Sequence, residues 1–299
     1  MYLNFERFLT TTGFTSGTIK MSIKIAIVTG ANKGLGFFIA KSLCKEYNGK
    51  VYITSRDEKR GLKACKELKE LGLNPVYHQL DVSDKVSVKK FINHISEQNE
   101  EVDIVINNAG ILFLKDATES KAYRAEQTLY VNFFSLVNFT EEILPFLGDS
   151  ARIVNISSSS GHLSRIPSES LREKIKSNLN LQELEELMKS YVEAVNNNED
   201  ISKGWGDSEY VVSKVGVNAY TFMLHGRLSS KGIIVNCVHP GYVISDMTRG
   251  AGNVTPEAAA EHPTRLALRP TTGGQYIWHN GTAVPWDGPD PRGYIDGKF

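Results

Sequence analysis

IKIAIVTGANKGLG, residues 23–36, sets the frame for the whole chain. Its first six residues are apolar apart from Lys24, the composition of a strand buried in a parallel sheet. From Leu35 onward, LGFFIAKSLCKEY takes up helical spacing. Between the two, Gly30, Gly34 and Gly36 allow a tight turn and let the backbone approach a ligand closely. The helix start adds unpaired N–H groups and the positive end of its dipole, so the junction suits a pyrophosphate. Asn32, Lys33 and Leu35 share the loop and are expected at the same ligand. The spacing is GxxxGxG, not the GxGxxG of the commoner dinucleotide loop, and Leu35-Gly36-Phe37 excludes the Lys-Ser/Thr ending of a Walker loop.

The same switch of period repeats downstream. VYITS, the charged helix DEKRGLKACKELKEL, PVYHQL, a helix from about Lys85 to Gln98, VDIVINN, two helices over about 119–147, RIVNIS and IIVNCV alternate strand with helix. This order predicts an α/β chain: a Rossmann-type, doubly wound parallel sheet with helices on both faces. No Pro/Gly-rich linker or internal repeat breaks it, so residues 22–299 are expected to form a single domain. Residues 159–203 interrupt the rhythm with a helical insertion before the next helix. There Leu181, Leu184, Met188, Tyr191, Val192 and Val195 make an apolar stripe, and Asn180 with Glu183 has the form of a capping box. Residues 1–21 lack a clear period, carry only Arg7 and Lys20 as basic groups, and read as a disordered extension rather than a transit peptide.

Bulk properties narrow the partners. Lys+Arg 34 balances Asp+Glu 34, so no basic excess points to nucleic acid or an anionic membrane. No run is long and apolar enough for a bilayer span. Three widely spaced cysteines, Cys44, Cys65 and Cys237, fit a reducing, cytoplasmic compartment without a disulfide framework. No metal site is expected.

Cofactor choice is read at the end of the second strand, where an NAD site usually places an acid against the ribose 2′-hydroxyl. That position holds Ser55, followed by Arg56, Asp57 and Arg60. Arginine suits a 2′-phosphate through charge-assisted bonds, and Lys33 could add a second cation. Together they favour NADPH, with Asp57 as the dissenting residue.

TGANKGLG, LDV at 80–82, NNAG at 107–110, VN at 131–132, NISS at 155–158, YVVSK at 210–214 and HPGYV at 239–243 stand in the order found in the short-chain dehydrogenase/reductases, and the chain resembles that family over nearly all of 22–299. It is most similar to the monomeric NADPH-dependent carbonyl reductases, through NKG, SRDEKRG and the 52 positions between Ser158 and Tyr210. Departures are Tyr242, His239, Ser55 and the tail GQYIWHNGTAVPWDG. The resemblance implies NADPH-dependent reduction of ketones, aldehydes or quinones, by a monomer whose insertion covers a face that other members use to pair. Alternatives are a dehydrogenase oxidising a secondary alcohol such as a steroid, or a non-catalytic NADPH sensor. It implies further that Asp81 and Val82 meet the adenine, that Asn108, Ala109 and Gly110 pass the ribose, and that Pro240, Gly241, Val243, Ile244 and Ser245 receive the nicotinamide end. Leu112, Trp205 and Tyr242 are expected to wall the substrate pocket.

Tyr210 and Lys214, at i and i+4, share a helix face. An ammonium about 5 Å from the phenol, at an effective dielectric of about 20, would favour phenolate by roughly 3 kcal/mol, about two pKa units. Tyr210 is therefore expected as the acid, with Lys214 lowering its pKa and holding the ribose. By resemblance Ser158 bonds the substrate oxygen, and Asn132 positions a water linking Lys214 to solvent. Ser157 should point to the opposite face of the strand.

Overall fold

The computed structural model describes residues 23–98, 100–269 and 272–297. The expected N-terminal extension lies outside them. Within them the chain runs β1 (Ile23–Val28), α1 (Gly34–Glu46), β2 (Lys50–Ser55), α2 (Glu58–Glu70), β3 (Pro75–Gln79), α3 (Lys85–Gln98) and β4 (Glu100–Asn107). Then follow α4 (Lys121–Leu129), α5 (Leu136–Ile143), β5 (Leu147–Ile156), α6 (Glu169–Lys176), α7 (Leu181–Asn196), α8 (Glu209–Leu228) and β6 (Ile234–Val238). The C-terminal part supplies α9 (Pro256–Ala259), α10 (Glu261–Leu268), β7 (Tyr276–Ile277), β8 (Ala283–Val284) and α11 (Pro291–Tyr294).

One sheet orders the strands β3-β2-β1-β4-β5-β6-β7-β8, parallel as far as β7, with β8 antiparallel to β7. The chain winds outward from β1 to β3, then crosses back to β4 on the other side of β1. The loops leaving β1 and β4 therefore part company, which opens a crevice at the strand ends. Burial follows the period of two. Ile25 and Ile27 join the core beneath α3, α4, α5 and α8, whereas Ala26 and Val28 join the one beneath α1, α2 and α10. All four are fully buried, which is why this strand reads as continuous apolar sequence.

The insertion is helical as expected. Asn180 and Glu183 form the reciprocal cap of α7 (Glu183 N–H to Asn180 Oδ1, 3.1 Å; Asn180 N–H to Glu183 Oε2, 2.8 Å). Leu184, Met188, Tyr191 and Val195 are buried against α4 and α8, while Leu181 and Val192 are only partly covered.

Two features differ from the sequence reading. The two helices expected over 119–147 are one continuous helical segment, because Tyr130–Ser135 forms a π turn that joins α4 to α5. The Tyr130 carbonyl accepts from Ser135 Oγ at 2.8 Å. The tail, unassigned from sequence, forms the β7–β8 hairpin on the sheet edge. It turns through Asn280-Gly281, with Trp278 N–H bonded to the Thr282 carbonyl (2.8 Å).

Candidate active site

The loop after β1 is built as a cradle. Gly30 has φ +64, and a Cβ on Gly36 would lie 2.4 Å from Asn108 Nδ2 and 2.6 Å from the Gly30 carbonyl, so only glycine fits there. The Asn108 amide donates to the carbonyls of Thr29 (2.9 Å) and Gly30 (3.1 Å), and the backbone N–H groups of Asn108 and Ala109 both donate to Thr29 Oγ1. The β1 and β4 ends are thereby fixed to each other. Ser and Asp side chains cap α2, α4, α6 and α8, but Lys33, at the head of α1, supplies no cap and the first turn of α1 holds no acid. The open first turn, and the free space around Gly34, fit a phosphate group.

At the end of β2 the dissenting acid is accounted for. Asp57 caps α2, accepting from Arg60 N–H at 2.8 Å and from Arg60 Nε at 3.1 Å. These bonds hold its carboxyl below the usual range. Ser55 is buried with its hydroxyl on the Asp57 carbonyl (2.8 Å), and Arg56 is exposed beside them. Of the three expected cations, Arg60 thus already gives its Nε to Asp57, and Lys33 is paired with Asp246 (2.6 Å). Asp81 takes the hydroxyl (2.6 Å) and N–H (2.9 Å) of Ser83 on Oδ1, and Val82 packs partly buried against the core.

Helix α8 carries Tyr210 and Lys214 to the ends of β5 and β6. Ser208 caps it. Lys214 is 6% exposed, donates to the Ile156 carbonyl at 2.8 Å and lies 5.7 Å from the centre of the Tyr210 ring. Here the electrostatic expectation from sequence is corrected. Burial lowers Lys214 to about 8 and raises Tyr210 to about 12, the latter opposed only by a hydrogen bond with Ser158. Loss of water disfavours the ionised form of both groups, and the ammonium is spent on a main-chain carbonyl rather than on the phenol.

Ser158 leaves β5 in extended conformation and accepts from Ser160 N–H (3.2 Å). Ser157 turns to the opposite face, donating to Asn218 Oδ1 (2.6 Å). Asn132 sits in the π turn with its side chain committed: Oδ1 accepts from Ile111 N–H (2.8 Å), and Nδ2 donates to the Ile111 carbonyl (2.9 Å) and Ser213 Oγ (3.2 Å). A Cβ on Gly110 would meet Asn132 Oδ1 at 3.2 Å, so the β4 loop passes directly beneath it.

Beyond β6, Pro240 and Gly241 lead into Val243, which is buried, Ile244, bonded to the Val254 carbonyl (2.8 Å), and Ser245, bonded to Thr248 Oγ1 (3.1 Å). Tyr242, Ile244 and Met247 expose apolar surface on this segment, and Leu112 is partly buried on the β4 loop. Trp205 does not join them: it is 2% exposed and edge-on to Tyr191 at 5.6 Å, so it belongs to the core under the insertion. Sequence reasoning missed Met247 and the Asp246 partner of Lys33, both just beyond the HPGYV motif it used. Among the described residues no cluster of His, Cys, Asp or Glu is placed to hold a metal, and no helix is long and apolar enough to cross a membrane.

Comparison with known proteins gives a consistent set. The family model described as short chain dehydrogenase matches residues 24–169. Carbonyl reductase [NADPH] 3 of Mus musculus is 40% identical over 254 residues, covering 83% of this chain and 91% of that protein. Carbonyl reductase [NADPH] 1 of Sus scrofa is 36% identical over 281 residues, covering 91% and 96%. The solved structure of salutaridine reductase from Papaver somniferum superposes with a TM-score of 0.78 at 31% identity, covering 85% of this chain and 99% of that one.

Proposed function

The chain belongs to the short chain dehydrogenase family, and on that premise we propose that it is an NADPH-dependent carbonyl reductase acting on ketones, aldehydes or quinones. One observation carries the reading: Lys214 is buried on the face of α8 that it shares with Tyr210 and is bonded to the Ile156 carbonyl, two residues before Ser158 at the end of β5, in the sheet whose β1 loop forms the glycine cradle. Bound NADPH supplies the hydride. The residues that would hold it are the β1 loop (Gly30, Asn32, Lys33, Gly34, Leu35, Gly36), Arg56 and Arg60, Asp81 and Val82, Asn108 to Gly110, and Pro240, Gly241, Val243, Ile244 and Ser245.

Tyr210 gives its phenolic proton to the substrate oxygen as that oxygen gains charge. Ser158 donates a hydrogen bond to the same atom, where a fixed donor is worth most as alkoxide character grows. Lys214, with one proton on the Ile156 carbonyl, has two more for ribose hydroxyls. The side chain of Asn132 is already occupied by Ile111 and Ser213, and its part is to hold the β4 loop against the π turn beside α8. Leu112, Tyr242, Ile244 and Met247 favour a substrate with an apolar body. The protein acts as a monomer, because α7 packs over α4 and α8, and a dimer on gel filtration would contradict that; the free thiols of Cys44, Cys65 and Cys237 suit the reducing cytoplasm.

The test is NADPH oxidation against a panel of carbonyl compounds, with Tyr210→Phe alongside. Turnover by the native chain and none by the variant, at unchanged NADPH affinity, is the expected result. An active Tyr210→Phe protein removes the proposed acid.

A further inference from the structure

Building on carbonyl reduction at Ser158 and Tyr210, we propose that Tyr276, on the C-terminal hairpin, is a positioning residue that holds the backbone of Ser158 so that its hydroxyl meets the substrate oxygen.

Ser158 stands where β5 ends: the last backbone bond to β6 is from Ser157 N–H to the Val238 carbonyl (2.8 Å), one residue short of it. Two groups fix its orientation from opposite sides. From α8, Asn218 lies one turn beyond Lys214, accepts the Ser157 hydroxyl (2.6 Å) and donates to the Gly161 carbonyl (2.9 Å). The helix bearing the acid thus grips both flanks of the serine turn. The fit leaves no room for a side chain at Gly161, whose Cβ would fall 2.6 Å from Ser157 Oγ and 2.8 Å from Asn218 Nδ2. From the hairpin, Tyr276 donates its hydroxyl to the Ser158 carbonyl itself (2.5 Å), and Trp286 donates its indole N–H to the Gly161 carbonyl (2.8 Å). Tyr276 is 1% exposed, and burial holds its phenol protonated well above its ordinary range, so it remains a donor. Its hydroxyl is spent on the main chain, so it acts through Ser158 and not on the substrate.

Tyr276→Phe removes this donor and little else. The Ser158 carbonyl keeps its bond from Gly161 N–H (2.9 Å), so no buried acceptor is stranded and the variant should fold. Freed on one side, the serine turn samples orientations in which Oγ misses the reacting oxygen, and small misplacements there are costly.

The experiment compares the native chain, Tyr276→Phe, Ser158→Ala and the double variant for kcat, KM and NADPH affinity, with hydrogen exchange of residues 156–165 measured on the same proteins. Tyr276→Phe is expected to lower kcat about five- to ten-fold, the loss of one neutral hydrogen bond, with NADPH affinity unchanged. In the Ser158→Ala background the same change should cost nothing further, and exchange at Gly161 should quicken in Tyr276→Phe. Independent, multiplying losses in the double variant, or an unchanged kcat, would overturn the proposal. A native chain without carbonyl reductase activity would sink the functional reading instead; exchange alone then decides, and unaltered protection at 156–165 overturns the role of Tyr276.

Discussion

Replacing Lys214 with methionine should make the protein more stable while removing its activity. Lys214 is 6% exposed, and burial lowers its pKa from 10.5 to about 8. At 1.36 kcal/mol per unit, holding that charge in the fold costs about 3 kcal/mol below pH 8. Methionine fills similar space without charge and forfeits the bond to the Ile156 carbonyl, a loss of about 1 kcal/mol. The net expectation at neutral pH is a gain of about 2 kcal/mol. The sign with pH follows from proton counts: between about 8 and 10.5 the unfolded lysine binds a proton that the folded one has released, so native stability rises with pH across that window. Methionine does not titrate. The advantage of Lys214→Met should therefore shrink by about 2 kcal/mol on going from neutral pH to one unit below the unfolded pKa. Urea unfolding at the two pH values measures this, since other groups titrate alike in both proteins. A variant less stable than native at neutral pH, or a difference that does not change with pH, would show that the ammonium is not under a burial penalty.

Two further outcomes are expected. Arg56→Ala should weaken NADPH binding by roughly ten- to a hundred-fold, the worth of a charge-assisted bond to phosphate, and leave NADH binding unchanged; equal weakening of both would remove the 2′-phosphate argument. Alkaline titration of the cofactor-free protein should show no phenolate absorbance from Tyr210, taken as native minus Tyr210→Phe, through pH 10, because burial raises that phenol to about 12. Its folded pKa lies above the unfolded one, so its contribution to stability is complete below pH 10 and fades toward 12. A Tyr210 signal near neutral pH would mean that Lys214 governs it after all.

What could be read from sequence was whatever leaves a local pattern. The buried run at Ile25–Val28, the glycines after it, and Asn180 with Glu183 all act within a few residues of themselves, and each stands in the structure as written. Ser158 was chosen by resemblance, as the second serine after Asn155-Ile156, and strand alternation sent Ser157 to the opposite face, where it meets Asn218. The hairpin at Tyr276–Val284 was invisible to the same logic, since two-residue strands are too short to show a period; Asn280-Gly281 was the usable signal. Trp205 could be read from sequence either as a pocket wall or as core, and it is core, because Tyr191, from the insertion, covers it. Lys33 was read as a free cation because its partner Asp246 lies 213 positions away.

The sign of the Tyr210 shift was misjudged for a related reason. Coulomb attraction between i and i+4 can be computed from spacing, whereas desolvation depends on everything that packs over the pair, from β5, β6 and the turn after Ser158. With Lys214 buried and turned to the Ile156 carbonyl, and Tyr210 largely enclosed, neither is stabilised as an ion in the cofactor-free protein. A neutral phenol suits a residue that must deliver a proton, because it is loaded before substrate arrives. It follows that acidity is required only as the alkoxide forms. The local donors able to support the loss of the proton at that moment are the Ser158 hydroxyl and the lysine behind it, so the accuracy with which Ser158 is held bears directly on the rate.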